Sequence, residues 1–361
     1  MAAHPKSLGI VGGGQLGRMI ALAAMELDVK VVVVGRGDPC GFLESGGSDL
    51  LNADDVASLA ACDGATIEVE EVSVEGLERI PRIVPRAAHV RLIQDKGLQK
   101  EFFSDRGIPT ADFSVSTNAS IRGFPVVQKL RRGGYDGRGV KVLRSPEDAA
   151  FSGECLLEDL IDVKAELSVI VARDETTAKT YPCVEQVFTP DHLAAYIVSP
   201  APRPERLEAE RLASRVAEEM DFVGLLAVEF FLEDGTGRLL VNEVAPRPHN
   251  SGHHTIEANA TSQFHQITRI ALGLALGDTT QTRPFAATVN LLGGQDSGVP
   301  EYQNLEKLLA TPDVYPHIYG KTTVSPNRKM GHVTVLADDL PTLRAKVDFV
   351  RANSKVIARP P

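Results

Sequence analysis

Apolar and polar positions in the first ninety or so residues follow two alternating patterns. Ser7 to Val11 and Val29 to Val34 are short apolar runs, and the segment between them, to about Leu27, has apolar residues three and four apart. Such runs are typical of buried strands, and the spacing between them is typical of an amphipathic helix. The pattern predicts a β–α–β unit, with short strands and helices alternating to about Val90.

Longer elements are predicted further along the chain. A helix is expected from Gln94 to Arg106, where Gly107 and Pro109 end it. The other predicted elements are the strands Pro125 to Leu130, Val140 to Leu143, Glu154 to Ile161 and Ala165 to Ala172, and the helices Glu205 to Met220, Gln263 to Leu276 and Pro341 to Ala352. After Pro284 the chain returns to strands, so domain boundaries are expected near residues 93 and 283.

A β-hairpin carries two glutamates. Leu225 to Leu232 and Arg238 to Val244 are rich in Val, Leu and Phe, and a Gly-containing turn joins them. Glu229 and Glu243 would lie nearly opposite each other on apolar strands, where two carboxylates repel unless a cation neutralises them. Because Mg²⁺ binds one or two carboxylates together with phosphate oxygens, the pair predicts a Mg–nucleotide site. The alternative is two solvated glutamates at a strand edge.

Composition narrows the class of protein. The chain has 361 residues, enough for two or three domains, and 43% of them are hydrophobic. A net charge of −10 does not suit a protein that binds duplex nucleic acid. Basic residues instead form small groups, which suits a small anionic ligand; one such group is Lys129, Arg131, Arg132 and Arg138.

The sequence contains no predicted membrane or export segment. No apolar run reaches about 18 residues, and we expect no signal peptide before the first strand. The cysteines lack metal-type spacing, so free thiols in a reducing compartment are expected. These cysteines are Cys40, Cys62, Cys155 and Cys183.

Two glycine-rich segments could bind phosphates. Gly12 to Gly17 follows a strand and begins a helix, as in dinucleotide sites, but Gly35-Arg36 stands where an acidic residue would hold the ribose. Arg36 would suit NADP, and a turn needed only for packing is the other alternative. Gly133 to Gly139 suits a flap that closes over phosphates, with Lys129 on the strand before it. The alternative for this second segment is a flexible surface hairpin.

Basic residues and histidines elsewhere are less specific. Lys321 and Arg328 flank a turn and could clamp one phosphate, or they could be solvated. His249, His253 and His254 could suggest zinc, but no Cys joins them, so hydrogen-bonding roles are favoured.

Together these segments resemble the 5-(carboxyamino)imidazole ribonucleotide synthetases, which are ATP-grasp enzymes of purine biosynthesis. The resemblance runs nearly end to end and rests on five motifs: Gly12 to Met19, Gly133 to Gly139, Asn242 to Arg247, His249 to His253 and Arg328 to His332. The chain departs from the family pattern at Glu71, where Asn is usual, at His254, where an aromatic residue is common, and at Lys96, where Arg is frequent.

The resemblance implies a fold of the α/β and α+β classes. A Rossmann-like pre-ATP-grasp domain would span residues 1–93 and an ATP-grasp domain residues 94–283, with a lid at about 115–172. A small β-rich domain would follow at 284–361. The resemblance also implies a cytoplasmic homodimer that acts on ATP, bicarbonate and 5-aminoimidazole ribonucleotide and has no nucleic-acid or membrane partner.

The resemblance also implies an activity and its residues. ATP would convert bicarbonate to carboxyphosphate, which then carboxylates the ribotide amine in a closed site. Glu229 and Glu243 would hold Mg²⁺, as two ions, with Mn²⁺ as an alternative. Arg247, His249 and Asn250 would be catalytic by orienting bicarbonate and the carboxyl intermediate.

The remaining implied contacts fall into two sets. ATP would be bound by Arg91, Lys129, Gly134, Glu158, Asp159, Leu160, Ile161, Glu166, Asn242 and Glu243, with Lys100 as a further phosphate ligand. The ribotide would be bound by Tyr135, Asp136, Arg138, Lys321, Arg328, Gly14, Gln15, Leu16 and Glu70.

Other functions remain open at this stage. Another ATP-grasp ligase, such as a formate-dependent glycinamide ribonucleotide transformylase or a biotin carboxylase, would share the nucleotide site. An NADP-dependent oxidoreductase would rest on the glycine turn and Arg36. A non-catalytic nucleotide-binding regulator would bind ATP without turnover.

Overall fold

The computed structural model of the chain describes residues 6–35, 52–133, 139–188 and 194–359. Several sequence predictions therefore lie outside the described residues: those on Arg36, Cys40, Gly134, Tyr135, Asp136 and Arg138. Among the described residues, no helix is long and apolar enough to cross a membrane.

The N-terminal part is a parallel sheet covered by helices. Its elements in chain order are β1 (Ser7–Val11), α1 (Gln15–Met25), β2 (Lys30–Val34), α2 (Ala53–Ala57), β3 (Gly64–Ile67), α3 (Val74–Glu78), β4 (Ile83–Val84) and α4 (Ala87–Ile93). The strand order is β2-β1-β3-β4, and all pairs are parallel. The predicted β–α–β unit is confirmed.

A second, antiparallel sheet follows. It is preceded by α5 (Lys96–Asp105) and built from β5 (Phe113–Ser116), β6 (Val126–Leu130), β7 (Val140–Leu143) and β8 (Cys155–Asp159), in the order β5-β8-β6-β7. Val126, Leu143, Cys155 and Leu157 form its small core. Lys129 lies on β6 and Glu158 on β8, and these two strands are paired.

The largest sheet joins the middle of the chain to its C-terminal part. Its elements and their neighbours are β9 (Val163–Arg173), β10 (Ala178–Thr180), β11 (Val184–Phe188), β12 (Ala194–Ser199), α6 (Arg206–Glu219), β13 (Gly224–Glu233), β14 (Leu239–Ala245), α7 (Thr255–Ala258), α8 (Gln263–Ala271), β15 (Phe285–Leu292), β16 (Pro300–Gln303), α9 (Leu305–Leu309), β17 (Val314–Ile318), β18 (Lys329–Ala337), α10 (Leu340–Asn353) and β19 (Lys355–Ala358). The order is β14-β13-β9-β11-β12-β15-β18-β17, with β10 beside β9 and a separate β16–β19 pair. Because β12 pairs with β15, the C-terminal strands continue the central sheet.

The central strands are buried on both faces. Ile170 and Ala172 pack with α1 and α8 residues, whereas Val169 and Val171 pack with residues of α6. Successive side chains of a strand point to opposite faces, which is why these strands read as continuous apolar runs rather than alternating ones.

Two helices are shorter than the sequence predicts. The helix expected to reach Leu276 ends at Ala271, because Gly273 adopts a left-handed conformation (φ +66°) that terminates it. The helix expected from Gln94 begins at Lys96, because the carboxylate of Asp95 accepts hydrogen bonds from the Gly97 and Leu98 amides at 2.9 and 3.2 Å.

Asp95 also ties α5 to the second sheet. Arg131, just after β6, donates through Nε and Nη2 to the two carboxylate oxygens of Asp95, each at 2.9 Å, and its carbonyl accepts from the Lys96 amide at 2.9 Å. Asp95 is only 5% exposed. Burial raises the pKa of Asp95, but the Arg131 bonds and the helix amides outweigh it, so that the pKa is lowered.

We predict that Asp95→Ala lowers the free energy of unfolding by about 3 kcal/mol, because it removes a helix cap and leaves Arg131 without its buried partner. Urea unfolding followed by circular dichroism measures the loss. The matched control is Asp54→Ala, which breaks the exposed 2.6 Å pair with Arg79 and should cost less than about 1 kcal/mol. Equal losses in the two variants would contradict the structural role of Asp95.

Candidate active site

The predicted glutamate pair lies on the β13–β14 hairpin. Glu229 and Glu243 are direct cross-strand partners, and the register shifts immediately after Glu229. Their strand neighbours Val228, Phe230 and Val244 are buried, at 0%, 1% and 4% exposure. The two carboxylates therefore face one another on a strand pair whose flanks are out of water, as the sequence predicted.

Each of these carboxylates has a nitrogen partner from elsewhere in the chain. Lys96, the first residue of α5, forms an ion pair with Glu243. His249 places Nε2 at 2.9 Å from a carboxylate oxygen of Glu229. Burial alone raises the pKa of Glu243, but the charges of Lys96 and Lys129 outweigh burial and lower it to about 2. Glu243 is consequently an anion throughout the physiological range.

A second, more deeply buried charge group adjoins the pair. Glu158 forms ion pairs with Lys100 at 2.7 Å and with Lys129 at 2.6 Å, and the three side chains are no more than 9% exposed. Lys129 also donates to the Asn242 side chain at 2.9 Å. Lys129 and Asn242, two of the residues expected at ATP, are thus brought together beside Glu243.

The segment expected at the adenine edge uses its carboxylates within the protein. Glu158 holds the two lysines, and Asp159 pairs with Arg122 at 2.6 Å. Leu160 is 39% exposed at the end of β8. Glu158 is thus enclosed by the two lysines, whereas Asp159 keeps a half-exposed side chain beside Arg122.

Glu166 is a third carboxyl close to the glutamate pair. It lies on β9, opposite Phe231 of β13. Burial and then the negative charge of Glu229 raise its pKa to about 7, against the opposing charge of Lys129. Glu166 therefore lies within the electrostatic influence of both glutamates of the pair, and a cation bound at the pair would relieve this repulsion.

The loop after Glu243 brings together the residues expected to be catalytic. Arg247 places Nε at 2.9 Å from a carboxylate oxygen of Glu70, a residue expected at the ribotide. His249 contacts Glu229, and Asn250 begins a short 3₁₀ helix, Asn250–Gly252. The residue Glu70, after β3, is therefore in contact with the loop after β14.

The glycine turn at Gly12 to Gly17 is occupied by the protein's own carboxylate. Glu68, which follows β3, accepts from the Gly14 amide and from the Gly17 amide, the latter at 2.7 Å. Burial raises the pKa of Glu68 despite these bonds. Because amides that a pyrophosphate would need already donate to Glu68, the geometry favours a packed wall over a dinucleotide site.

Three other expected site residues make contacts outside the glutamate pair. Lys321 donates to the Lys329 carbonyl at 2.6 Å, and Arg328 to the Thr323 carbonyl at 2.7 Å, both within the β17–β18 connection. Arg91 is half-exposed and pairs with Glu78 at 2.8 Å, so the structure does not bring it to the glutamate pair. Gln15 and Leu16 open α1 beside the glycine turn.

The donor set matches magnesium better than zinc. Among the residues described, no group of three or more His, Cys, Asp or Glu side chains is arranged to hold a metal. Glu229 and Glu243 supply two hard carboxylates, and Mg²⁺ commonly takes one or two from the protein and the rest from phosphates and water. The residues present therefore fit a Mg–polyphosphate group.

Several residues that shape the site were not predicted. The sequence predicts no site role for Lys96, which only departs from the family pattern, or for Asp95, Glu68 and Gln263. Gln263 accepts from the His249 amide at 2.9 Å and donates to the His249 carbonyl at 2.8 Å. The available signal is the Asp95-Lys96 pair, one residue inside the helix predicted from Gln94, because Asp is a favoured helix cap and Lys follows it directly.

Comparisons with known proteins identify the family of the chain. Three family models match in succession: the ribonucleotide synthetase preATP-grasp domain at 5–94, the ATP-grasp domain at 101–264 and the phosphoribosylaminoimidazole carboxylase C-terminal domain at 286–346. The N5-carboxyaminoimidazole ribonucleotide synthase of Synechococcus elongatus is 35% identical, over 98% of this chain and 97% of its own.

Solved structures show the same similarity. The N5-carboxyaminoimidazole ribonucleotide synthetase of Thermotoga maritima is 36% identical with a TM-score of 0.87, covering 98% of this chain and all of its own. The N5-carboxyaminoimidazole synthase of Aspergillus clavatus, solved with ADP and 5-aminoimidazole ribonucleotide, is 27% identical with a TM-score of 0.84, covering 96% and 99%.

We predict that Glu166→Gln stabilises the metal-free chain at pH 8 but not near pH 4. The folded pKa of Glu166, about 7, lies above the ordinary value of 4.5, so the native carboxyl keeps a proton that the unfolded chain releases between these values. Native stability therefore falls as pH rises from about 4.5 to 7, and the amide removes this loss, worth about 1–3 kcal/mol at pH 8.

Thermal unfolding in EDTA across this pH range measures the effect. Glu101→Gln, at an exposed position of α5, is the matched control and should leave the pH dependence unchanged. The same pH dependence in both variants would show that Glu166 is not held in a charged, buried setting.

Proposed function

The chain belongs to the N5-carboxyaminoimidazole ribonucleotide synthase family, and we propose that the site around Glu229 and Glu243 carries out the family's reaction with bicarbonate as the carbon source. The chain is an ATP-grasp ligase, and its reaction belongs to purine biosynthesis. The observation that carries the proposal is the facing glutamate pair, flanked by Lys96 and Lys129 and followed at once by Arg247 and His249.

The proposed reaction has two steps. A bicarbonate oxygen attacks the γ-phosphorus of ATP, the bond to the bridging oxygen breaks, and ADP leaves with carboxyphosphate formed. The ribotide amine then attacks the carboxyl carbon, the C–O bond to phosphate breaks, and the nitrogen loses a proton. The products are 5-carboxyamino-1-(5-phosphoribosyl)imidazole, ADP and phosphate. Carboxyphosphate reacts with water, so the site must exclude water.

The nucleotide side is formed by charges of both signs. We assign Glu229 and Glu243 as the residues that would hold Mg²⁺, which neutralises polyphosphate charge when bound. Lys129 would bind phosphate oxygens, and its fixed position between Glu158 and Asn242 supports this role. Lys96 would also bind phosphate oxygens, because its ammonium forms an ion pair with Glu243 and so lies beside the proposed metal site. Glu166 would face the ribose hydroxyls.

The acceptor side is formed by the loop after β14 and by Glu70. Arg247 would bind the carboxylate oxygens of bicarbonate and of the intermediate, and its contact with Glu70 holds the guanidinium toward the N-terminal part of the chain. His249 and Asn250 would orient the same group. Lys321 and Arg328 would bind the ribotide phosphate, together with the residues of the Gly133 to Gly139 segment that lie outside the described part.

Organisation and setting are also proposed. We place domain boundaries near residues 93 and 283, supported by family models that match 5–94, 101–264 and 286–346. We propose a homodimer in the cytoplasm. In support of a reducing compartment, Cys62, Cys155 and Cys183 are free thiols among the described residues.

One assay tests the proposed function. ADP formation is measured in bicarbonate buffer with Mg²⁺, with and without 5-aminoimidazole ribonucleotide, and compared with formate plus glycinamide ribonucleotide and with biotin. The proposal expects ADP and the carboxyamino product in equal amounts only with the aminoimidazole ribotide. ADP formation driven instead by one of the other acceptors, or by none of them, would overturn it.

We predict that Glu243→Gln lowers turnover at least about 100-fold while leaving ATP binding measurable, because a neutral amide is a poor ligand for Mg²⁺. ADP release under saturating substrates measures turnover. Glu233→Gln, at the far end of β13, is the matched control and should retain full activity. Near wild-type ADP formation by the Glu243 variant would remove this residue from the metal site.

We predict that Arg328→Ala raises KM for the ribotide at least about 10-fold and leaves KM for ATP within about twofold. The phosphate of the ribotide does not react, so its contacts contribute mainly uniform binding. Steady-state kinetics with each substrate varied give both constants. Arg344→Ala, at an exposed position on α10, serves as the control; equal increases in both KM values for Arg328→Ala would point to an ATP role or a folding defect.

A further inference from the structure

The main chain of His249 is fixed by one buried side chain. Gln263 accepts from the His249 amide at 2.9 Å and donates to the His249 carbonyl at 2.8 Å, and Gln263 itself is 0% exposed at the first turn of α8. This pair of opposed hydrogen bonds holds the peptide on both sides of the residue. The remaining freedom of His249 is the rotation of its ring and the choice of the nitrogen that carries the proton.

Ser251 fixes both the rotation of the His249 ring and the nitrogen that carries its proton. The Ser251 amide lies 3.3 Å from Nδ1 of His249, and the Ser251 hydroxyl lies 2.9 Å from the same nitrogen. A main-chain amide can only donate, so Nδ1 must present its lone pair, and in the neutral ring the proton is on Nε2. His249 thereby caps the 3₁₀ helix Asn250–Gly252 with its own ring.

The hydroxyl of Ser168 forms a hydrogen bond with the hydroxyl of Ser251. The two hydroxyl oxygens are 2.9 Å apart, and both residues are 1% exposed. The Ser251 hydroxyl can donate to Nδ1 while it accepts from Ser168, which leaves a directed chain from β9 to the ring. At the other end of the ring, Nε2 points to Glu229 at 2.9 Å, which is an acceptor and agrees with a proton on Nε2.

We propose that Ser251, supported by Ser168, is a positioning residue that holds His249 in its Nε2–H tautomer, so that the oxygens of the carboxyl group being transferred would take the place of Glu229 as the acceptor of this hydrogen. The identity of that carboxyl group rests on the proposed function. The orientation of the ring does not, because it follows from the contacts with Ser251 alone. A ring that already carries its proton on Nε2 needs no change of tautomer when this acceptor binds.

The first test reads the tautomer directly. The full chain is labelled with ¹⁵N-histidine, and the His249 signals are assigned by their loss in His249→Gln. The wild-type ring is expected to show a protonated Nε2 and an unprotonated Nδ1. Ser251→Ala keeps the main-chain amide on Nδ1 and is expected to keep the proton on Nε2, but to move the Nδ1 signal downfield because the hydroxyl no longer donates to it. Ser168→Ala is expected to leave that signal near its wild-type position, because the Ser251 hydroxyl remains. A protonated Nδ1 in the wild type, or an unchanged Nδ1 signal in Ser251→Ala, would overturn the proposal.

The second test reads activity as ADP and product formation. Ser251→Ala is expected to lower kcat about 10- to 100-fold with KM for ATP and ribotide within about threefold. Ser251→Thr restores the hydroxyl and should recover most of the loss, and Ser168→Ala, an equally buried hydroxyl, should lose less than about threefold. Equal losses in the two alanine variants, or no recovery by Thr, would mean that packing alone is responsible.

A third comparison tests whether a hydrogen-bond donor is required at the position of Nε2. The amide nitrogen of Gln reaches the position of Nε2, whereas that of Asn reaches only the position of Nδ1, so His249→Gln should retain more kcat than His249→Asn. The reverse order would overturn the proposal. If the wild-type chain forms no product with the ribotide, the proposed function fails, and the tautomer measurement still decides the role of Ser251.

Discussion

The repulsion between two facing carboxylates is the constraint on which the site depends. Glu229 and Glu243 are direct partners across β13 and β14, and the third carboxyl, Glu166, lies one strand away. Like charges in a partly buried setting are tolerated only where cations reach them. The chain meets this requirement with Lys96, which pairs with Glu243, and with Lys129, whose charge also lowers the pKa of Glu243.

Separate elements of the fold supply these partners of the two glutamates. Lys96 begins α5, and Asp95 fixes that helix start by capping it and binding Arg131. Lys129 comes from the second sheet and is held by Glu158, and His249 comes from the loop after β14. The central strands are buried on both faces. The hairpin that bears the glutamates is therefore a rigid support, against which the lysine and histidine side chains are held.

Sequence reasoning found the parts with local signals. The hairpin with Glu229 and Glu243, the β–α–β unit and the motif after Asn242 follow from periodicity, turn residues and residue type within short windows. The partners of these residues did not follow. Lys96 is 147 residues from Glu243, and Ser168 is 83 from Ser251, so only the tertiary fold brings them together. The early end of α8 depended on the conformation of Gly273, which the helical pattern past it obscured.

A crystal structure of the chain with Mg²⁺ and ADP tests the central claim most directly. The claim is that the Glu229–Glu243 pair is the metal–polyphosphate site and that Lys96 balances its charge when no metal is bound. The account predicts a metal with oxygen ligands from both glutamates and Lys96 moved from Glu243 to a phosphate oxygen. Nucleotide bound elsewhere, with the Lys96–Glu243 pair unchanged, would contradict it.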